Sequence, residues 1–285
     1  MKTGIISLVL IFVWLSSPAQ DFKKHILFLA SDSLHGRAPA TIDERNAADY
    51  IHHEFVSGKC TSVSFQKFPF GTDAATNVIG MLDLKKDSTV IISAHYDHLG
   101  YGSDKSHEIN KRGIHHGADD NASGVAMMIE LAKWIIEKKD WNYNFVFAAY
   151  SAHEAGLYGS DNFSKSEMCS ALKIRAVVNL DMVGRLDKTS SIIRVSGKDT
   201  DPGFSTFFQS DSGTMLHFRF DDTNINQSDL KSFAALEIPV LNFTTGVHDD
   251  YHKMSDTEDK INYDGMKKVY SLIETLLINF CTHKI

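Results

Sequence analysis

The strongest constraint on the fold is a series of short apolar, β-rich runs that do not alternate with polar residues. They are Val78 to Leu84, Val90 to Ala94, Phe145 to Tyr150, Ala176 to Leu180, Ile192 to Val195 and Ile238 to Phe243. A strand with one wet face alternates, whereas a strand covered on both faces has no polar side to show. Between these runs lie segments of helical period. The clearest is 123–138, with Val125, Met128, Ala132 and Ile135 on one stripe, and the last is 263–281, with Val269, Leu272, Leu276 and Ile278. Two further helices are expected over 21–31 and 41–57, the second carrying Ala47, Ala48, Ile51 and Phe55 at helical spacing. Strands alternating with helices predict an α/β fold, a single domain with a mixed, mostly parallel central β-sheet and helices on both faces. The 285 residues suit one large domain, and no linker divides them.

Residues 1–19 have a different pattern. Lys2 gives a positive start, Ile5 to Leu15 form a short apolar run, and Ser17-Pro18-Ala19 places small residues before a cleavage point. This predicts a signal peptide over 1–19, a mature domain over 20–285 and a periplasmic or secreted location, with no stable membrane anchor after cleavage. A retained N-terminal anchor is the competing reading. Cys60, Cys169 and Cys281 are odd in number and widely spaced, so they form neither a disulfide framework nor a zinc-ribbon pattern. Either one pair bridges or all are buried thiols. The formal net charge of -7, with no Lys/Arg cluster, argues against a nucleic-acid partner.

The residues that end each apolar run carry the chemistry. Val90 to Ala94 leads into His95-Tyr96-Asp97, Phe145 to Ser151 into His153-Glu154, and Ala176 to Leu180 into Asp181. Ile238 to Phe243 leads into a loop holding His248, Asp249, Asp250 and His252, and the loop Gly117 to Gly124 adds Asp119 and Asp120. In open α/β sheets, ligands bind in the crevice at the carboxyl ends of the strands. Singly, each residue reads as a turn, a helix cap or a satisfied polar group. Together they are converging carboxylates with no basic partner in the same motifs, and like charges in a cleft repel unless a cation neutralises them. A mixed His and carboxylate set suits zinc, and an odd bridging carboxylate suits two zinc ions about 3.5–4 Å apart.

These segments resemble the co-catalytic zinc peptidases, which include bacterial leucyl-type aminopeptidases, glutamate carboxypeptidase and glutaminyl cyclases. The matching stretches are Ser93 to His98, Gly117 to Gly124, Glu154 to Ser160, Asn179 to Met182 and Asp250 to Thr257, in the family's order. Leu29 to Ile51 resembles the family's N-terminal helical region. The resemblance implies a zinc peptidase domain over 20–285, of the phosphorylase/hydrolase-like fold. It also implies two Zn2+ ions per chain, with His95 and Asp181 on one, Glu154 and His252 on the other, and Asp120 bridging. Asp97 is expected to accept the ring N–H of His95 and fix its tautomer. Asp119 is expected to be structural, and His248 to lie on the cleft wall. The implied activity is aminopeptidase hydrolysis of a peptide or aminoacyl substrate by a metal-bridging hydroxide.

One position departs from the pattern. Where active members carry an acidic general base before the ligand Glu154, this chain has His153. A neutral imidazole can accept a proton, but an imidazolium beside two zinc ions is disfavoured by like charge. His153 is therefore expected to serve as a slower base, and a His153→Glu variant to be faster. Asp249 is the alternative base. A non-catalytic metal- or peptide-binding protein and a glutaminyl cyclase-like acyltransferase are the alternative functions. Loops 98–116 and 184–190 are expected to shape the pocket.

Overall fold

A computed structural model describes residues 21–108, 110–209 and 216–282. The expected signal peptide, 1–19, lies outside the described residues. The chain builds one eight-stranded sheet. In sequence order the strands are β1 (Ser62–Phe70), β2 (Asp73–Leu82), β3 (Thr89–His95), β4 (Asn144–Tyr150), β5 (Ile174–Leu180), β6 (Ile192–Ser196), β7 (His217–Phe220) and β8 (Val240–Thr244). Across the sheet their order is β1-β2-β4-β3-β5-β8-β6-β7. The pairings β3–β4, β3–β5, β5–β8 and β6–β7 are parallel, while β1–β2, β2–β4 and β6–β8 are antiparallel. The sheet is thus mixed and mostly parallel, with the parallel strands β4, β3, β5 and β8 at its centre.

The non-alternating runs have the expected cause. In β3, Val90, Ile92 and Ala94 enter one core cluster while Ile91 enters the cluster on the opposite face. The first face is covered by α1 (Phe22–Leu29), α2 (Ile42–Ser57), α3 (Gly124–Lys138) and a C-terminal helix over 263–282, through Ile26, Ile51, Met128 and Ile273. The second is covered by Phe163, Leu230 and Phe233. The helix starts are capped as their sequences suggest, with Asp21 accepting from Lys24 N and Thr41 from Glu44 N.

Two strands were not expected. β1 alternates and is largely exposed, as an edge strand pairing only with β2 allows, and β7 is only four residues long. The last strand begins at Val240 rather than Ile238, because Ile238 N donates to Phe233 O in the preceding turn. The three cysteines are free. Among the described residues no helix is long and apolar enough to cross a membrane.

Candidate metal centre

The central parallel strands end at one edge, and their polar C-terminal neighbours meet there. His95 is the last residue of β3, and Asp181 comes directly after β5. After β4 the chain turns at Ala152, in the left-handed region (φ 55°), and delivers His153 and Glu154. The loop after β8 delivers His252, and the turn before α3 delivers Asp120.

Asp120 occupies the middle. Its Oδ1 lies 3.4 Å from His95 Nε2 and its Oδ2 3.3 Å from His252 Nε2. His95 Nε2 is in turn 3.6 Å from Asp181 Oδ1, and His252 Nε2 is 3.1 Å from Glu154 Oε2. The five residues therefore fall into two donor groups that share one carboxylate. The structure also holds the imidazoles by their far nitrogens. His252 Nδ1 donates to Lys105 O at 2.9 Å, and His95 Nδ1 faces Asp97 O at 3.3 Å. Each ring is thereby left with Nε2 directed into the site.

The site's electrostatics ask for a cation. His95 Nε2, His252 Nε2 and Asp120 Oδ2 are buried without a hydrogen-bond partner, which is costly for polar atoms. Among the described residues, no Lys or Arg lies within ion-pair distance of Asp120, Glu154 or Asp181. The imidazoles carry the balancing charge instead. Burial disfavours ionised Asp120, but His252 and His95 outweigh it and hold the carboxyl well below its usual range. Burial and Asp120 oppose ionised Glu154, yet His252 and His98 bring it down to about 2. Burial opposes protonated His252, while Asp120 and Glu154 raise it to about 10. This nitrogen and carboxylate donor set fits zinc, which would replace those protons.

Neighbouring residues depart from expectation in instructive ways. The Asp97 carboxylate does not accept the His95 ring N–H, since its nearest oxygen is 3.7 Å from His95 Nδ1. It accepts the backbone N–H groups of His153 and Glu154 instead, at 3.0 and 3.2 Å, because the buried turn after β4 offers those donors no other partner. Asp119 is structural: Oδ1 accepts from Gly184 N at 2.6 Å and from Ser123 Oγ at 2.9 Å. Its Oδ2 lies 3.2 Å from His248 Nε2, within ion-pair distance but without a hydrogen bond between them. Asp256 Oδ2 accepts the N–H groups of Asp119 and Asp120, both at 3.0 Å, and fixes the turn that presents Asp120.

Two residues escaped the sequence reading. His98, fully buried, places Nδ1 3.1 Å from Glu154 Oε1 and 3.9 Å from Asp120 Oδ2. It stands three positions after His95, a spacing that could have drawn attention. Asp229, buried before a short helical turn, lies 2.9 Å from His153 Nδ1 through Oδ2. The His153 ring also stacks on His95, with centroids 3.8 Å apart and planes at 9°. Burial and His95 oppose protonated His153, but Asp229 outweighs them and raises it to about 9. Asp249 is exposed and does not line the cleft.

A cavity of 270 Å³ opens onto Asp120, His153 and Asp181. Among the described residues its walls come from 221–228 and 242–247, with Arg194 and Tyr251, rather than from loops 98–116 and 184–190. The loop after His98 serves the site differently, by anchoring His252 through Lys105 O.

Comparison with known proteins places this geometry. The family model described as Peptidase family M28 matches residues 77–277. The "Uncharacterized protein YfbL" of Escherichia coli is 26% identical, covering 93% of this chain and 88% of that protein. "Aminopeptidase YwaD" of Bacillus subtilis is 27% identical over 72% of this chain, which spans only 44% of that protein's length. The solved structure of BSAP, a zinc aminopeptidase from Bacillus subtilis, superposes with a TM-score of 0.75 at 15% identity, covering 93% of this chain and 95% of that one. At that identity the likeness establishes the fold.

Proposed function

The chain belongs to peptidase family M28, and from that premise we propose that it is an exported two-zinc aminopeptidase in which His153 serves as the general base. The observation that carries this reading is the position of Asp120, one oxygen toward His95 and the other toward His252. His95 and Asp181 would hold one zinc, Glu154 and His252 the second, and Asp120 both. Zinc bound there supplies polarisation of the scissile carbonyl and acidifies water.

The chain's own residues supply the proton path. The raised pKa keeps His153 protonated in the absence of metal, and cations held beside it would favour the neutral ring. In that form Asp229 accepts the Nδ1 proton and the Nε2 lone pair is left to take a proton from water. The same Nε2–H then protonates the leaving amine, so that peptide and water become a carboxylic acid and an amine. Asp97 positions His153 and Glu154 together through their backbone N–H groups. Export is supported by the pattern of Lys2, the Ile5 to Leu15 run and Ser17 to Ala19.

The deciding experiment measures zinc content alongside hydrolysis of aminoacyl amides, for the wild type and Glu154→Ala. Two zinc ions per chain and activity abolished by the substitution support the reading. Two zinc ions without turnover on any substrate point to a binding protein, and one zinc ion points to a cyclase-type reaction.

A further inference from the structure

Among the described residues lining the cleft, Arg194 alone carries a fixed positive charge. It sits in β6 between Ile193 and Val195, both buried in the core, so alternation turns Arg194 to the other face. It pairs across the strands with Thr244 of β8, which also lines the cleft. One strand further on, β5 leads directly into Asp181, which puts Arg194 two strand spacings, about 10 Å, from the Asp181 end of the candidate metal centre.

The surroundings leave room for this guanidinium without a direct bond to it from any described residue. Gly246 is in the left-handed region (φ 93°), and a Cβ there would collide with Arg194 Nε. Arg194 makes no hydrogen bond or ion pair with any described residue. The carboxyl of the acidic wall residue Asp221 is held below the usual range by its hydrogen bonds with Thr223 and, after them, by nearby charges that include Arg194. It makes no ion pair with Arg194: its Oδ1 accepts from Thr223 N at 3.1 Å and from Thr223 Oγ1 at 2.7 Å. A guanidinium with no hydrogen bond or ion pair among the described residues offers a planar fork of donors matched to a carboxylate. The rest of the wall mixes polar Asn224, Gln227 and Asn242 with Met182, Val247 and Tyr251, so Arg194 is the feature that sets it apart from a purely apolar pocket.

We propose that Arg194 binds a substrate carboxylate one or two residues from the scissile bond, so that the preferred substrates are acidic short peptides. The proposal rests on the peptidase reading above. An extended peptide covers at most about 3.6 Å per residue. With the reach of an arginine side chain added, the carboxylate can be either an acidic side chain at the cleaved residue or the free C-terminus of a dipeptide.

The test compares kcat/KM of the zinc-loaded protein on two matched pairs, glutamyl against glutaminyl anilide and alanyl-alanine against its C-terminal amide. The wild type should favour the acidic member of at least one pair about 10–100-fold, the range of a charge-assisted hydrogen bond. The anilide pair identifies a side-chain carboxylate, and the dipeptide pair a C-terminal one. Arg194→Met should bring that ratio to near unity, and Arg194→Lys should keep part of it. Equal ratios in wild type and Arg194→Met, or no preference in the wild type, overturn the proposal. If no substrate is turned over, the peptidase reading fails instead. Binding of the alanyl-alanine analogue with a methylene-amine in place of the peptide bond, as free acid and as amide, then decides the role of Arg194. The same comparison is made for the glutamyl-alanine and glutaminyl-alanine analogues. Tighter binding of the acidic member of either pair by wild type but not by Arg194→Met supports the role, and equal binding within both pairs by wild type overturns it.

Discussion

Asp229 accepts a 2.9 Å hydrogen bond from Nδ1 of His153, from a residue 76 positions away in the chain. The bond selects the tautomer with its lone pair on Nε2. It also answers the main objection to an imidazole base beside two zinc ions, because a buried carboxylate behind the ring offsets their positive charge. Asp229→Asn should therefore lower kcat by about 10–100-fold while zinc content stays at the wild-type level. Unchanged kcat in a fully metallated variant would remove His153 from the mechanism.

The shared carboxylate makes a stoichiometric prediction. On the proposed ligand set, atomic absorption should find two zinc ions in the wild type and one in His252→Ala, because that variant keeps His95, Asp120 and Asp181. Chelation should lower the thermal midpoint, since Asp120, Glu154 and Asp181 then converge without a cation. Retention of two ions by His252→Ala would reassign the ligand, and His98, 3.1 Å from Glu154 Oε1, would be the replacement to test.

Arg37 should be a stability residue. Its fully buried guanidinium donates to the backbone carbonyls of Leu29, Tyr96, His116 and Gly117, at 2.5, 2.7, 2.6 and 3.1 Å. Burial lowers its pKa to about 10, against the opposing effect of Asp97 and Asp120, so it remains charged at neutral pH. Lysine brings a different shape and only three donors. Arg37→Lys should thus cost about 3 kcal/mol, or about 6 °C or more in thermal midpoint. A shift below about 2 °C would show that water replaces the lost bonds.

A pH effect should come from the C-terminal helix. Burial raises the Glu274 carboxyl to about 7, opposed only weakly by Lys138. The folded chain then holds a proton that the unfolded chain releases near pH 4.3. Stability from this group is present in full below about pH 4.3 and is lost as pH rises toward 7. Glu274→Gln should remove that slope, so its thermal midpoint should exceed that of the wild type at pH 8 and match it near pH 4. A parallel offset at both pH values would show that Glu274 does not titrate in this window.

The centre of the sheet and the polar residues that meet at its edge were legible because both are written locally. Doubly buried strands read as unbroken apolar runs, and His95, Glu154 and Asp181 stand directly where those runs stop. The features that were not legible depend on partners distant in sequence. Asp229 reads as the start of a short helical turn, and only the fold sets it behind His153. Asp97 stands two residues from His95 and invites pairing with that ring, yet the turn after β4 claims both of its oxygens. β1 and β7 lie at the sheet edges, where one-sided pairing and exposure remove the apolar signature. The cleft walls at 221–228 come from a stretch with no strong periodicity, and Arg194 is a single cation inside an ordinary strand pattern.

The proposed metal donors begin at His95 and end at His252, with Asp120, Glu154 and Asp181 in between. A chain still being made has the first group of donors, His95, Asp120 and Asp181, well before it has His252. The β8 backbone that seats Asp181, through Phe243 O, comes later still than Asp181 itself. On the proposed ligand set, both groups of donors would be complete only when nearly all of the polypeptide exists, so the second metal would be taken up late in the protein's birth.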